Sequence, residues 1–218
     1  MGVARIVLPR SPSTNAEALR LATQLDGKAW VITHDQYQGR GRRGRTWAMP
    51  PGNFAGSLAL RPQGDASQAA LYSFVAALAL YDALGVACGP SARLALKWPN
   101  DVLLNGGKVA GILLESLGQG GHVAALAIGI GVNLAAAPPA EPGAAFAPVS
   151  LREETAISIP PEEFLDILAP AFAHWQARFL TEGFAPLRTA YLARAARLGE
   201  PIIARTGTAE WTGRFEGI

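Results

Sequence analysis

The sequence predicts an α+β fold built on a mixed, largely antiparallel sheet. Two observations point to it. Short β-prone runs follow one another as a meander, two of them (102–105 and 108–115) joined by Gly106-Gly107, the loop chemistry of a primed hairpin turn. The strands of the meander are followed later by helical patterns from residue 161.

Taken in order, Thr14-x-x-Glu17 is a capping box, and Ala16, Leu19, Ala22 and Thr23 follow at helical spacing, so a helix starts near Asn15. Residues 29–33 (AWVIT) and 53–60 read as strands. The apolar stretch 69–81, ending at Asp82, reads as a helix packed on the sheet; a membrane span needs roughly 20 apolar residues. Residues 94–98 form a strand stopped by Pro99, which removes a ladder donor. After a buried strand at 123–132, the proline- and alanine-rich segment 135–148 is a loop. Residues 161 to about 198 are helical, with a kink or break at Pro170. The tail 201–218 is β-like with turn signals at Gly207 and Gly213, and is too short to bury a core of its own.

The chain has 218 residues, enough for one domain with a small appendage. Half of it is hydrophobic and only 17% is charged, which excludes a disordered chain. Cys88 is the single cysteine, so no internal disulfide forms and nothing requires an oxidising compartment. A net charge of +2 implies neither a nucleic-acid nor a membrane partner. No targeting segment is visible, and a cytoplasmic protein is expected.

Chemistry concentrates in four clusters. Residues 36–47 (QYQGRGRRGRTW) place Arg40, Arg42, Arg43 and Arg45 among Gly39, Gly41 and Gly44, with no acid between Asp35 and Asp65. Like charges that close repel, so an anion is expected to order this loop, whose glycines let the backbone approach a ligand. Gly39-x-Gly41-x-x-Gly44 matches a dinucleotide fingerprint in form, but Pro50-Pro51 follows where a helix must open. The second cluster, Lys97-Trp98-Pro99-Asn100-Asp101, sets an ammonium at a strand end beside an amide and a carboxylate; it is also good turn chemistry. In the third, Gly129 and Gly131 mark close approach of another group to a strand, with Asn133 at its end. The fourth, Ser13-Thr14-Asn15, caps a helix whose N-terminus also offers donors to polar ligand groups. His34, His122 and His174 lack metal-ligand spacing, and no phosphate-binding P-loop or nucleophile elbow occurs.

In this order, the clusters together with KWPNDVL at 97–103, KVAGILLE at 108–115 and GIGVNL at 129–134 resemble the biotin protein ligase family. The resemblance implies a catalytic domain like that of class II aminoacyl-tRNA synthetases over residues 1–197, with the start of a C-terminal SH3-like β-barrel at 198–218. It implies activation of biotin with MgATP to biotinyl-5′-AMP, then transfer to a lysine of a biotin carboxyl carrier protein domain. By motif, Ser13, Thr14, Asn15 and Gln36 would meet the ureido end of biotin. Gly39, Arg40, Gly41 and Arg42 would close over biotin and the anhydride, while Gly111, Gly129 and Gly131 line the tunnel. Arg45 would contact phosphate, Trp47 the adenine, and Asn133 would read the adenine edge. Lys97 and Arg42 would be the catalytic cations. No dedicated metal site is implied; magnesium arrives on ATP, with Asp101 its one possible ligand.

The family's N-terminal DNA-binding domain has no room before residue 13, so no DNA partner is expected, and the chain ends partway through the expected barrel. The protein is expected to be a monomer or homodimer. Two rivals remain: a lipoate or octanoate protein ligase on a similar scaffold, and a non-catalytic nucleic-acid-binding module using the arginine loop.

Overall fold

The computed structural model describes residues 3–24, 27–140, 145–206 and 209–218. A seven-stranded sheet organises it, from β1 (Ala4–Leu8), β2 (Ala29–Thr33), β3 (Phe54–Leu60), β4 (Leu94–Lys97), β5 (Asp101–Leu104), β6 (Gly107–Gln119) and β7 (His122–Val132). Their spatial order is β1-β2-β3-β7-β6-β5-β4. Only β1–β2 is parallel; every other pairing is antiparallel, as expected for a mixed sheet of meander type. The parallel pair arises because α1 (Thr14–Ala22) returns the chain between β1 and β2. The sequence reading missed β1, whose five residues form a mostly exposed edge with no alternation to mark it.

The hairpin turn sits one residue earlier than expected. Leu104 pairs with Gly107, which leaves Asn105-Gly106 at the centre with φ of 51° and 91°. Asparagine tolerates the left-handed region far better than most side chains, so Asn-Gly takes the primed turn and Gly107 becomes the first residue of β6.

One face of the sheet carries the main core. Phe54, Leu58 and Leu60 of β3 and Leu126, Ile128, Ile130 and Val132 of β7 pack against α3 (Tyr72–Cys88) and α5 (Pro161–Glu182). α3 follows the short α2 (Ala66–Ala70) and runs past Asp82, where the sequence reading ended it. Asp82 accepts a 2.7 Å hydrogen bond from the Trp175 indole of α5, so a polar residue ties the two helices together instead of ending one. Ala66–Cys88 spans 23 residues and is apolar enough to cross a membrane, yet most of it is buried in this core, as helices apolar all round are. Leu84 is fully buried there, and Leu84→Ala would cost about 2–5 kcal/mol.

Pro170 does not break α5. Its own position and that of Asp166, whose carbonyl it leaves unpaired, are both exposed, so water satisfies the lost bond. The chain turns instead at Gly183 (φ 76°), before α6 (Ala185–Leu192). The loop expected at 135–148 is present among its described residues and leads into α4 (Leu151–Thr155). A separate two-stranded sheet of β8 (Pro201–Thr206) and β9 (Ala209–Arg214) closes the chain. Gly213 lies within β9 and makes no turn; Gly207 falls outside the described residues.

Candidate active site

Strand side chains alternate between faces, and the pairing registers carry that alternation across the sheet. On the face away from the main core, Thr33, Ala55, Gly131, Gly111, Asp101 and Lys97 form one cross-strand row. Val31, Ser57, Gly129 and Leu113 form the next, and Ala29, Ala59, Ala127 and Glu115 the third. The third row is covered by Ala18 and Ala22 of α1. The first two are floored by small residues, and this is where the four sequence clusters meet.

At one end lies a buried amide–hydroxyl cluster. Ser13 caps α1, its Oγ accepting from the Ala16 N–H, so the cap is one residue earlier than the expected Thr14. Thr14 is thereby free to donate its backbone N–H to Gln36 Oε1 (2.9 Å), with its hydroxyl 3.2 Å from the same oxygen. Asn15 Nδ2 donates to the Leu113 carbonyl (3.1 Å) and to Glu115 (2.8 Å). The Ser57 hydroxyl lies 2.7 Å from Thr14 Oγ1 and 2.6 Å from Asn15 Oδ1. Gly129 makes room for this: a Cβ there would stand 2.4 Å from Asn15 Oδ1.

At the other end lie the cations. Asp101 ion-pairs with Lys97 (2.9 Å) and Lys108 (2.7 Å). Burial opposes ionisation of Asp101, but Lys108 and Lys97 outweigh it and hold its carboxyl below the usual carboxylate range. Arg42 donates to Asn100 Oδ1 (3.3 Å), and Asn100 in turn donates to the Ile112 carbonyl (2.8 Å). Desolvation and then Arg43 lower the Arg42 pKa, against a smaller pull upward from Asp101. Between the two ends, Trp47 covers the glycines: a Cβ on Gly131 would stand 2.4 Å from its indole, and one on Gly111 3.1 Å.

The glycine-arginine loop has hydrogen-bond partners of its own. It closes on itself through the Arg40–Thr46 bridge, Gly41 N–H to Arg45 O (2.7 Å) and Trp47 N–H to Gly39 O (2.9 Å). Its cations also find acceptors in Glu115, which meets Arg40 at 3.1 Å, and Asn100. Gly39 permits the closure, since a Cβ there would meet the Trp47 carbonyl at 2.5 Å. Arg45 is exposed on the loop's outer side, where with Ser13, Tyr37 and Arg40 it lines a groove of about 470 Å³. Asn133 is buried beyond the end of β7; its Nδ2 donates to the Val149 carbonyl (3.0 Å), while Oδ1 has no partner among the described residues.

Sequence reading assigned no role to Lys108, Ser57 or Glu115. Counting by twos from Gly111 puts Lys108 on the wrong face. A register shift leaves Val109 as an extra residue, so that Lys108 pairs with Leu103 and turns to the site. Ser57 carries no signal beyond being a hydroxyl in an apolar strand. Asp101, weighed as a magnesium ligand, and Glu115 are both engaged by cations, so neither fits a resident divalent metal. Among the described residues no cluster of three metal-ligating side chains occurs.

A mixed sheet with this glycine floor, a hydroxyl–amide cluster at one end and cations at the other defines a protein ligase of the biotin ligase fold. Biotin protein ligase from Aquifex aeolicus in complex with biotin and ATP superposes with a TM-score of 0.81 at 26% identity, over 99% of this chain and 88% of that one. A biotin–[acetyl-CoA-carboxylase] ligase of Paracoccus denitrificans is 71% identical over 97% of this chain and 89% of its own length. The bifunctional ligase/repressor BirA of Bacillus subtilis is 30% identical over 86% of this chain and 58% of its own length. Residues 6–133 match the biotin/lipoate A/B protein ligase family model, and the chain belongs to that family.

Proposed function

We propose that this protein is a biotin–[acetyl-CoA-carboxylase] ligase: it activates biotin with ATP to biotinyl-5′-AMP and transfers the biotinyl group to a lysine of a biotin carboxyl carrier protein domain. The observation that carries the reading is the two-ended floor, with neutral hydrogen-bonding groups at Thr14, Asn15, Gln36 and Ser57 and cations at Arg42, Lys97 and Lys108. Biotin has the same polarity, a neutral ureido ring joined by an apolar chain to a carboxylate. Lipoate has no ureido group to use the buried cluster, so that alternative is not favoured.

In the first step a biotin carboxylate oxygen bonds to the α-phosphorus of ATP while the bond from that phosphorus to the bridging oxygen breaks and pyrophosphate leaves. Two anions must meet, and fixed cations lower that barrier. Lys108 stands at the Trp47–Gly111 floor, its Nζ 5.6 Å from the Trp47 ring, while Lys97 lies across Asp101, near Phe146. Lys108 therefore joins Lys97 and Arg42 as a cation for the carboxylate and α-phosphate, with Asp101 holding both ammonium groups in place. Ser13 would join the ureido contacts, Gly39, Arg40 and Gly41 would cover the anhydride from water, and Arg45 would reach phosphate. Gly111, Gly129 and Gly131 keep the floor low, and Trp47, seated on Gly131, would line the adenine pocket. Asn133 Oδ1, buried and without a partner among the described residues, suits the amino group of adenine. Magnesium would travel with the nucleotide, screening its phosphates. In the second step the carrier lysine, having lost its proton, attacks the acyl carbon and AMP leaves.

Residues 1–197 would form the catalytic domain and 198–218 a small β unit, in a cytoplasmic enzyme working as a monomer or homodimer. Biotin-dependent ATP–pyrophosphate exchange, followed by transfer of labelled biotin to a purified carrier domain, tests the reading. Heat stability rising with biotin but not with lipoate separates the two ligands, since stabilisation follows occupancy. Exchange driven by lipoate instead of biotin would reverse the assignment.

A further inference from the structure

We propose that Glu115 is a positioning residue that ties the arginine loop to the amide–hydroxyl cluster, so that one carboxylate sets both the aim of Asn15 and the closed position of Arg40; the inference rests on the ligase reading above. Glu115 belongs to the third row of the sheet, opposite Ala127, and its side chain is 27% exposed. Its Oε2 accepts from Asn15 Nδ2 at 2.8 Å, and its Oε1 meets Arg40 at 3.1 Å. Asn15 lies at the N-terminus of α1, Arg40 in the loop, and Glu115 in β6, so three separate chain segments converge on one side chain.

The hydrogen-bond inventory shows what this does. Both N–H groups of Asn15 are committed, one to the Leu113 carbonyl and one to Glu115, which fixes the amide with Oδ1 toward Ser57. An acceptor at 115 is thus part of what orients the amide. A continuous chain then runs from Gln36 to Arg40: the Thr14 N–H donates to Gln36, the Thr14 hydroxyl to Ser57, the Ser57 hydroxyl to Asn15 Oδ1, and Asn15 Nδ2 to Glu115, which meets Arg40. An exposed ion pair would contribute little. This one joins an exposed Arg40 to a Glu115 side chain that is 27% exposed, is charge-assisted, and gives Arg40 an acidic partner in a segment of like charges. Glu115 reaches neither the Lys108 nor the Arg42 group, so it acts through Asn15 and Arg40.

The test compares wild type with Glu115→Gln, which keeps the shape and loses the charge, alone and on an Arg40→Ala background. Glu115→Gln is expected to raise the biotin KM in pyrophosphate exchange and the release rate of preformed biotinyl-5′-AMP roughly tenfold each, with kcat changed less than about threefold. On the Arg40→Ala background the same substitution should have a clearly smaller effect on release, because its partner is already gone. Ligand-free Glu115→Gln should also be cut faster by trypsin within residues 40–45, at an unchanged thermal midpoint. Unaltered release and cleavage, a fall in kcat at constant KM, or an equal effect with and without Arg40 would each overturn the proposal. If the wild type shows no biotin-dependent exchange, the ligase reading fails instead, and the tryptic comparison still decides whether Glu115 holds the loop.

Discussion

Trp47 lies so close over Gly131 that a Cβ on the glycine would stand 2.4 Å from indole Cε2 and 2.6 Å from Nε1. Atoms do not approach so closely, so Gly131→Ala must displace the indole or the strand. At Gly111, its partner across the β6–β7 ladder, the same test gives 3.1 Å, which a small shift relieves. Gly131→Ala is therefore expected to raise the KM for ATP in pyrophosphate exchange at least about tenfold, and Gly111→Ala only about two- to threefold. Equal effects would mean that the glycines serve the ligand directly and not the seat of Trp47.

Lys108→Ala should suppress biotin-dependent pyrophosphate exchange more severely than Lys97→Ala. Removing a fixed group that stabilises developing negative charge costs about 10²–10³ in rate. Lys108 Nζ is on the Trp47 side of Asp101 and Lys97 Nζ on the Phe146 side, so Lys108 is nearer the glycine floor. Steady-state exchange in the two variants measures the order, and a larger loss at Lys97 would reverse it.

What the sequence disclosed and what it hid divide along physical lines. Local chemistry was legible: the Gly106-Gly107 pair announced a hairpin, Pro99 ended β4, and the glycines at 129 and 131 marked a close approach. What depended on register was hidden. The face presented by Lys108 is set by one extra residue at Val109, and the turn centre moved from Gly106-Gly107 to Asn105-Gly106 because pairing begins at Leu104. The Ser57–Asn15–Glu115 chain joins residues up to 100 positions apart in sequence, a distance no spacing rule spans. No break occurs at Pro170, because its effect depends on whether the orphaned carbonyl reaches water, which burial alone decides.

Cys88 should resist alkylation in the folded protein. It is buried near the end of α3, and desolvation pushes its thiol up to about 11. The thiolate is the reactive form, and at pH 8 a rise from the usual value of about 8.5 leaves it scarcer by roughly two orders of magnitude. Iodoacetamide labelling at pH 8 should therefore be slow in the native protein and rapid after denaturation. Comparable rates in both states would place the thiol at the surface.

Asp101→Asn should change how stability depends on acid as well as activity. The folded Asp101 carboxyl titrates below its unfolded value, because Lys108 and Lys97 together outweigh its burial. A depressed carboxyl contributes stability that is fully present above the unfolded pKa and is lost as pH falls through the folded one. In wild type this contribution holds at neutral pH and drains away below about pH 4. Asparagine cannot titrate and leaves two ammonium groups facing each other, so at pH 7 the variant should be less stable by about 3–5 kcal/mol. Its unfolding free energy should then fall less steeply than that of wild type below pH 4, and the two curves should converge. Urea unfolding at pH 7, 4 and 3 measures the gap. A gap that stayed constant with pH would show that the two lysines do not bias the ionisation of Asp101, and would remove its role as the group that holds them.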